Sequence, residues 1–236
     1  MRAIWKRELQ AYFSTPVGYV FMGVFLLLSS AMFYTTIMQN RSSDLPTFIG
    51  LMSYLWMLLC PVLTMRLLAE ERQKRTDQLL LTSPVSLPAM VMGKYLAAVT
   101  LMLITTALTG LFVLIVALYG AVYPAELLVS YLGFILQGCA FIALDLFLSG
   151  CAGNQVTAAV MAFGANLLLW MLDLLEGAVS IGAIKDALSF LSLYTRSEPF
   201  LMGQLSFAGV GYFLSFAAAF IALTIHMLDS RRYRGA

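Results

Sequence analysis

The sequence predicts an all-α integral membrane protein with six transmembrane helices, and three observations carry that prediction. Only 11% of the 236 residues are charged while 61% are hydrophobic, against roughly 25% charged in a soluble domain. Apolar runs of the ~20 residues needed to cross ~30 Å of hydrocarbon recur along the chain. Polar turns rich in Gly, Pro, Asn and Ser separate those runs. Residues 1–236 therefore read as a single transmembrane domain. A net charge of +2 without a basic patch argues against nucleic acid as a partner. Cys60, Cys139 and Cys151 lie in or beside apolar runs without paired spacing, which argues against a disulfide framework or zinc site.

Residues 1–15 read as an amphipathic helix and not a signal peptide, because no small-residue cleavage site follows the first apolar run. Trp5, Leu9, Tyr12 and Phe13 share one helical face, and Arg2, Lys6, Arg7 and Gln10 the other. This pattern predicts an interfacial helix with its basic face toward lipid headgroups. The spans are predicted at 17–38, 47–68, 90–119, 127–149, 156–172 and 207–228. Pro61 is expected to kink the second. The third is longer than a bilayer requires, and Lys94 near its start is expected to snorkel to the headgroups. Residues 173–206 are too polar for one span and their apolar pieces too short, which predicts short re-entrant or surface helices. The basic, aromatic tail 229–236 is an anchor at headgroup level.

Orientation follows from the 14 Lys and Arg residues. With the N-terminus inside, only Arg41, Lys185 and Arg196 lie outside, a clear positive-inside bias. Both termini are then cytosolic, and so is the polar stretch 66–94. Within that stretch Glu70/Lys74 and Glu71/Arg75 stand at i,i+4, acid first, the favourable order. Thr76 can cap a short helix carrying Leu79, Leu80 and Leu81, which Thr82-Ser83-Pro84 stops. Ser86 can cap the next helix, with Pro88 in its first turn. Three leucines on a short cytosolic helix call for a protein partner or a lipid surface.

These features resemble the membrane subunits (permeases) of type-2 ABC transporters. The resemblance covers the whole chain: the basic amphipathic elbow, six spans, and the long cytosolic segment after the second. Its most specific part is L-A-E-E-R-x-x-x-T-x-x-L-L-L-T-S-P-V over 68–85, followed by Gly93-Lys94. The tight turn 150–155 and the closing Arg231-Arg232-Tyr233-Arg234 fit the same pattern. Within the superfamily the chain is similar to the gliding-motility-associated permeases, with the nitrous-oxide-reductase maturation permeases close by. The resemblance implies a bacterial cytoplasmic-membrane protein that forms a homodimer or pseudo-dimer with two cytosolic ATPase subunits. The helix around 76–83 would be the coupling helix, its ATPase interface formed by Glu70, Glu71, Arg72, Arg75, Thr76, Leu79, Leu80, Leu81 and Pro84. ATP and Mg would be bound by the partner and no cofactor by this chain. A separate auxiliary subunit with an extracytoplasmic domain is also implied. Arg75, where relatives often have Gly, and Asp145, where they usually lack an acid, depart from the family pattern.

Other residues admit competing readings. Coupling predicts that Leu79, Leu80 and Leu81 are buried in a partner and that Glu71, Arg72 and Arg75 form a charged rim; the alternative is a loop on the membrane surface. Glu70-Glu71-x-x-x-Arg75 also matches the E-E-x-x-x-R signature of intramembrane prenyl-peptide proteases. Those enzymes need histidines on other spans, and this chain has only His226. Asp145, about a turn from the cytosolic end of the fourth span, is either a functional intramembrane acid or one hydrated or paired at the interface. Thr105, Thr106, Thr109 and Asn166 make helix–helix hydrogen bonds on the plain reading. Thr105, Thr109, Asp145 and Asn166 line a translocation path on the functional one. Tyr194, Arg196, Glu198 and Phe200 form the most distinctive outer patch, a candidate seat for an auxiliary subunit. The sequence contains no G-x-x-x-x-G-K-[ST] phosphate loop, so ATP hydrolysis falls to a partner.

Overall fold

The computed structural model describes residues 1–74, 86–178 and 192–234, and all the regular structure among them is helical. Helix α1 (Arg2–Ser14) ends at Thr15, and Pro16 opens α2 (Pro16–Phe33). Proline is suited to a first turn, where the missing N–H has no intrahelical acceptor. A π-helical turn (Tyr34–Met38) extends α2. Next come α3 (Leu45–Thr64), capped by the Asp44 side chain, and α4 (Arg66–Gln73). The remainder comprises α5 (Leu87–Tyr119), α6 (Pro124–Cys151), α7 (Gln155–Ala178), α8 (Leu193–Leu201) and α9 (Phe207–Arg234).

Among the described residues, six helical stretches are long and apolar enough to cross a membrane: Pro16–Met38, Leu45–Gln73, Leu87–Tyr119, Pro124–Cys151, Gln155–Leu175 and Phe207–Arg231. The six-span, all-helical expectation therefore holds, with shifted boundaries. The fifth helix does not stop at 172 but carries Asp173 inside it. That carboxylate is satisfied by the hydroxyls of Ser192 (2.7 Å) and Thr195 (3.0 Å), so it need not leave the helix for water. The expected helix 76–83 lies outside the described residues, as do most of the short apolar pieces expected between the fifth and sixth spans.

Helix α6 is the hub, packed against α3, α7, α8 and α9. Its last residues approach α4 and the end of α9, while its first turns lie under α8. The bundle thus has an α1 end, holding α1, α4 and the starts of α5 and α7, and an opposite α8 end. Aromatic rings fill the centre. Trp56 meets Phe21, Phe25 and Phe134 edge-on, and Phe33, Phe48 and Phe112 form a second group near the α8 end.

The outer patch expected at Tyr194, Arg196, Glu198 and Phe200 is corrected by the packing of α8. Phe200 is fully buried over Gly133, where a Cβ would stand 2.5 Å from the Phe200 Cβ. Tyr194 is buried too, stacked on Tyr54 with centroids 4.6 Å apart, and its hydroxyl reaches Met57 Sδ. Arg196 lies over the Tyr212 ring, and of the four only Glu198 is exposed. The polar letters of the sequence suggested a surface, but Tyr194 packs on α3 and Phe200 on α6, which turns both aromatics inward.

Candidate functional site

Two clusters of polar groups are built where apolar sequence gives them no water. The first joins three helices at the α1 end. Lys94, in the third turn of α5, is 1% exposed in its side chain. An ammonium has three N–H donors, and three acceptors surround this one: Glu71 Oε1 at 2.7 Å, Glu8 Oε1 at 3.1 Å and the carbonyl of Leu67 at 2.6 Å. Arg7 completes the cluster, donating to Glu8 at 2.8 Å and to Glu71 at 3.2 Å. The formal charges of these four side chains cancel. Burial alone would push the Glu8 carboxyl up, but Lys94 and Arg7 outweigh it and hold this group below its ordinary value of 4.5. Glu8 in turn raises the Arg7 guanidinium above its usual range.

Local sequence explains why the three helices can meet there. On α1 the buried line is Ile4, Tyr12 and, between them, the largely covered Glu8, at i, i+4 and i+8. It only partly follows the expected face of Trp5, Leu9, Tyr12 and Phe13. Gly93 lets α1 approach α5: a Cβ there would stand 3.0 Å from Ile4 Cβ. Trp5 Nε1 donates to Thr100 on α5 at 3.0 Å, and the Tyr12 hydroxyl donates to the Leu63 carbonyl on α3 at 2.9 Å. Arg66 stacks over the Tyr12 ring and donates to Thr15.

Several expectations for this region change. Lys94 does not snorkel to headgroups, because α1 and α4 close over it and supply carboxylates nearer than lipid. Glu71 is not simply a rim charge: it faces inward to Lys94 and Arg7. Arg72 donates to the carbonyls of Cys151 (3.2 Å) and Ala152 (2.9 Å), neutralising the C-terminal end of α6. Glu70 pairs with Lys74 at 2.7 Å, as the spacing predicted, and with Arg66 at 3.2 Å. Arg75, Thr76, Leu79, Leu80, Leu81 and Pro84 lie outside the described residues.

The second cluster surrounds the break between α3 and α4. The helix runs through Pro61 and breaks at Met65. Proline has no N–H to give the carbonyl of Met57, four residues back. Asn166 on α7 supplies the missing donor, its Nδ2 lying 3.2 Å from Met57 O. The same Nδ2 is 3.4 Å from Asp145 Oδ2 on α6, and Thr64 Oγ1 reaches that oxygen from α3, also at 3.4 Å. Four residues on, the Ser149 hydroxyl enters the ladder at the break. It donates to Met65 O (3.1 Å) and accepts from Leu68 N (3.3 Å) and Ala69 N (3.2 Å). A side chain inserted in this way is a known cause of helix bending.

Asp145 is fully buried, so it is neither hydrated nor paired at the interface as one reading expected. Helices α3 and α7 cover it, and no Lys, Arg or His among the described residues bonds to it. Asp145 and Asn166 are thus brought together. Thr105 and Thr109 are not part of this group. Thr105 donates to Leu101 O, and Thr109 to Thr106 O beside the Tyr131 hydroxyl. Tyr131 precedes Asp145 by fourteen residues of α6, about 21 Å along the helix. His226 is exposed on α9. Sequence reasoning missed Glu8, Thr64 and Ser149. The available signals were an acid at i+4 from Ile4 and i−4 from Tyr12 on the first helix and, for Thr64, a hydroxyl within one turn of Pro61; no local signal pointed to Ser149.

Three measurements test these clusters. Lys94→Met leaves two carboxylates without their buried ammonium and is expected to cost about 3–5 kcal/mol in a reversible unfolding assay; Lys94→Met with Glu71→Leu should recover much of it. Because the Glu8 value is lowered on folding, its contribution is fully present above 4.5 and is lost as pH falls through the lowered value. Hydrogen exchange of α1 should therefore stay slow at pH 5 and rise only in stronger acid, and Glu8→Gln should remove that dependence. Asn166→Ala should destabilise by about 1–2 kcal/mol, and by clearly less in a Pro61→Ala background, where the Met57 carbonyl regains its own helix's donor. Equal costs in both backgrounds would sink the link to Pro61.

Among proteins of curated function, none matches the chain. A family model described as ABC-2 type transporter matches residues 1–192, most of the chain and the part that contains both clusters. A membrane domain of six apolar helices, with no regular structure but helix among its described residues, is in keeping with that match. The chain belongs to the ABC-2 type transporter family, as the membrane-embedded permease of an ABC transporter.

Proposed function

We propose that the chain is the non-catalytic permease subunit of an ATP-driven exporter in a bacterial cytoplasmic membrane. Two copies pair, as a homodimer or with a related chain, and two copies of a separate ATPase bind ATP and Mg. Both termini and residues 75–85 face the cytosol, α1 lies at the interface as an elbow, and Thr76, Leu79, Leu80, Leu81 and Pro84 seat a short helix in the ATPase. Glu70 and Arg75 orient that contact. The L-A-E-E-R and L-L-L-T-S-P-V segments support placing the chain near the gliding-motility and nitrous-oxide-reductase maturation permeases. A separate auxiliary subunit with an extracytoplasmic domain fits that placement, and Glu198 is the residue of α8 exposed to meet it.

One observation carries this reading. Glu71 and Lys94 stand on either side of residues 75–85 and are bonded at 2.7 Å, with Glu8 and Arg7 of α1 in the same cluster. A push delivered through 75–85 therefore reaches the second span, the third span and α1 together, without slack in the connection. A surface loop lying in lipid has no need of such a base.

A second reading has one observation in its favour. All four candidate path residues, Thr105, Thr109, Asp145 and Asn166, are buried within one chain, while the exposed faces of α2, α7 and α9 are largely apolar. Two copies joined through those faces would form a dry seam, which suits transmission of force to an extracytoplasmic partner without movement of solute.

Copurification from detergent tests the main proposal. Leu80→Asp should abolish association with the ATPase while the membrane domain keeps its helical content and melting behaviour. Unchanged copurification would remove the coupling assignment. Nucleotide turnover by the reconstituted complex, without loss of any candidate lipid or peptide cargo from the vesicles, would favour the second reading.

A further inference from the structure

We propose that the groove between the first and third spans at the α8 end binds one anionic glycerophospholipid from the leaflet it faces. The groove has a volume of about 340 Å3 and lies between the π-helical end of α2 and the last turns of α5. Its floor is apolar: Phe33, Ile37 and Val116 are 4%, 7% and 5% exposed, and Ile115 forms part of the wall. Its rim is polar, formed by Arg41, Ser42 and Ser43. Volumes of this order are typical of ligand sites, and this one suits a headgroup with the first carbons of its chains.

Three features of the rim point to an anion. Arg41 is the one non-glycine residue among those described with a positive φ, +50°. A side chain rarely adopts that left-handed conformation, and where it occurs the strain is held by its surroundings and often serves a site. Here it lies three residues beyond the π-turn, another backbone irregularity found frequently at functional sites. The neighbouring carboxylate does not neutralise Arg41. Asp44 accepts instead from Thr47 N (3.2 Å) and Thr47 Oγ1 (2.6 Å) as the cap of α3. Among the described residues Arg41 has no ion-pair partner, and a guanidinium fork matches a phosphate.

Depth in the membrane chooses the source of that phosphate. The rim stands where two apolar spans end, flanked by Tyr34, Tyr119 and Tyr123, which are 59%, 88% and 70% exposed. Tyrosines at such positions mark headgroup level. A soluble anion would satisfy Arg41 but leave the apolar floor empty, whereas a phospholipid fills both. The proposal is independent of what the transporter carries.

Native mass spectrometry of the full-length protein, titrated with phosphatidylglycerol or phosphatidylcholine, tests it. Wild type should hold one phosphatidylglycerol about tenfold more tightly than phosphatidylcholine, the order expected for one charge-assisted contact. Arg41→Gln should remove that preference, and Arg41→Lys should keep part of it. Ile115→Trp, which fills the groove but keeps the charge, should weaken binding of phosphatidylglycerol to a similar degree. Lys74→Gln, a charge loss on α4 at the α1 end, where Lys74 pairs with Glu70, should leave that preference unchanged. The proposal falls if Arg41→Gln retains the wild-type preference, or if glycerol phosphate without chains competes as well as the lipid does. It also falls if Arg41→Gln changes only the monomer–dimer ratio, which would mean that a second copy covers the groove.

Discussion

A lysine ammonium that reaches no water must find its acceptors within the protein, and Lys94 finds them on two other helices. An unpaired buried charge is costly enough to unfold its surroundings. The positions of α1 and α4 relative to α5 are therefore set by electrostatics, and packing follows. Gly93 removes the steric obstacle one residue before the charge that fixes the contact. The docking of α1, the register of α4 and the start of the third span thus form one arrangement held from its centre.

The second and fourth spans obey the same rule by different means. A transmembrane helix with an internal proline leaves a carbonyl unfilled, and the bilayer offers no donor. Asn166 fills the Met57 carbonyl from a neighbouring helix, and Ser149 fills the break at Met65 from another. Both partners also bind the second span to the helices beside it. An irregularity in one span has thereby become a set of contacts among three, and Asp145 lies within it. This explains why Asp145 and Asn166, read in sequence as part of a polar path, are closed around one another in the fold.

Span number was legible, and helix starts to within a few residues, because they depend on local quantities. Apolar run length sets the spans, and Pro16, Pro46, Pro88 and Pro124 each fall in a first turn. The pair Glu70–Lys74 was legible for the same reason, being one helical turn apart. Lys94 was misread because the ordinary fate of a lysine near the end of a span is the headgroup region. The approach of Glu8, 86 positions earlier, and of Glu71 on α4 changes that. Tyr194 and Phe200 were misread as surface because the residues between them are polar. Phe200 is buried over Gly133 and Tyr194 against Tyr54, and no local pattern links those partners to them. Pro61 was seen as a bend, but the break falls four residues later, where Ser149 enters the ladder.

The bond between Glu71 and Lys94 also bears on how this chain can diverge. A stretch whose two ends are stapled together can lengthen at little thermodynamic cost, because each doubling of a closed loop adds only about 0.6 kcal/mol. On the proposed coupling role, gene duplication followed by insertion at 75–85 would re-address the chain to a different ATPase while the membrane-embedded part kept its register. Chimaeras built with junctions just outside the Glu71–Lys94 staple are the natural unit of such exchange.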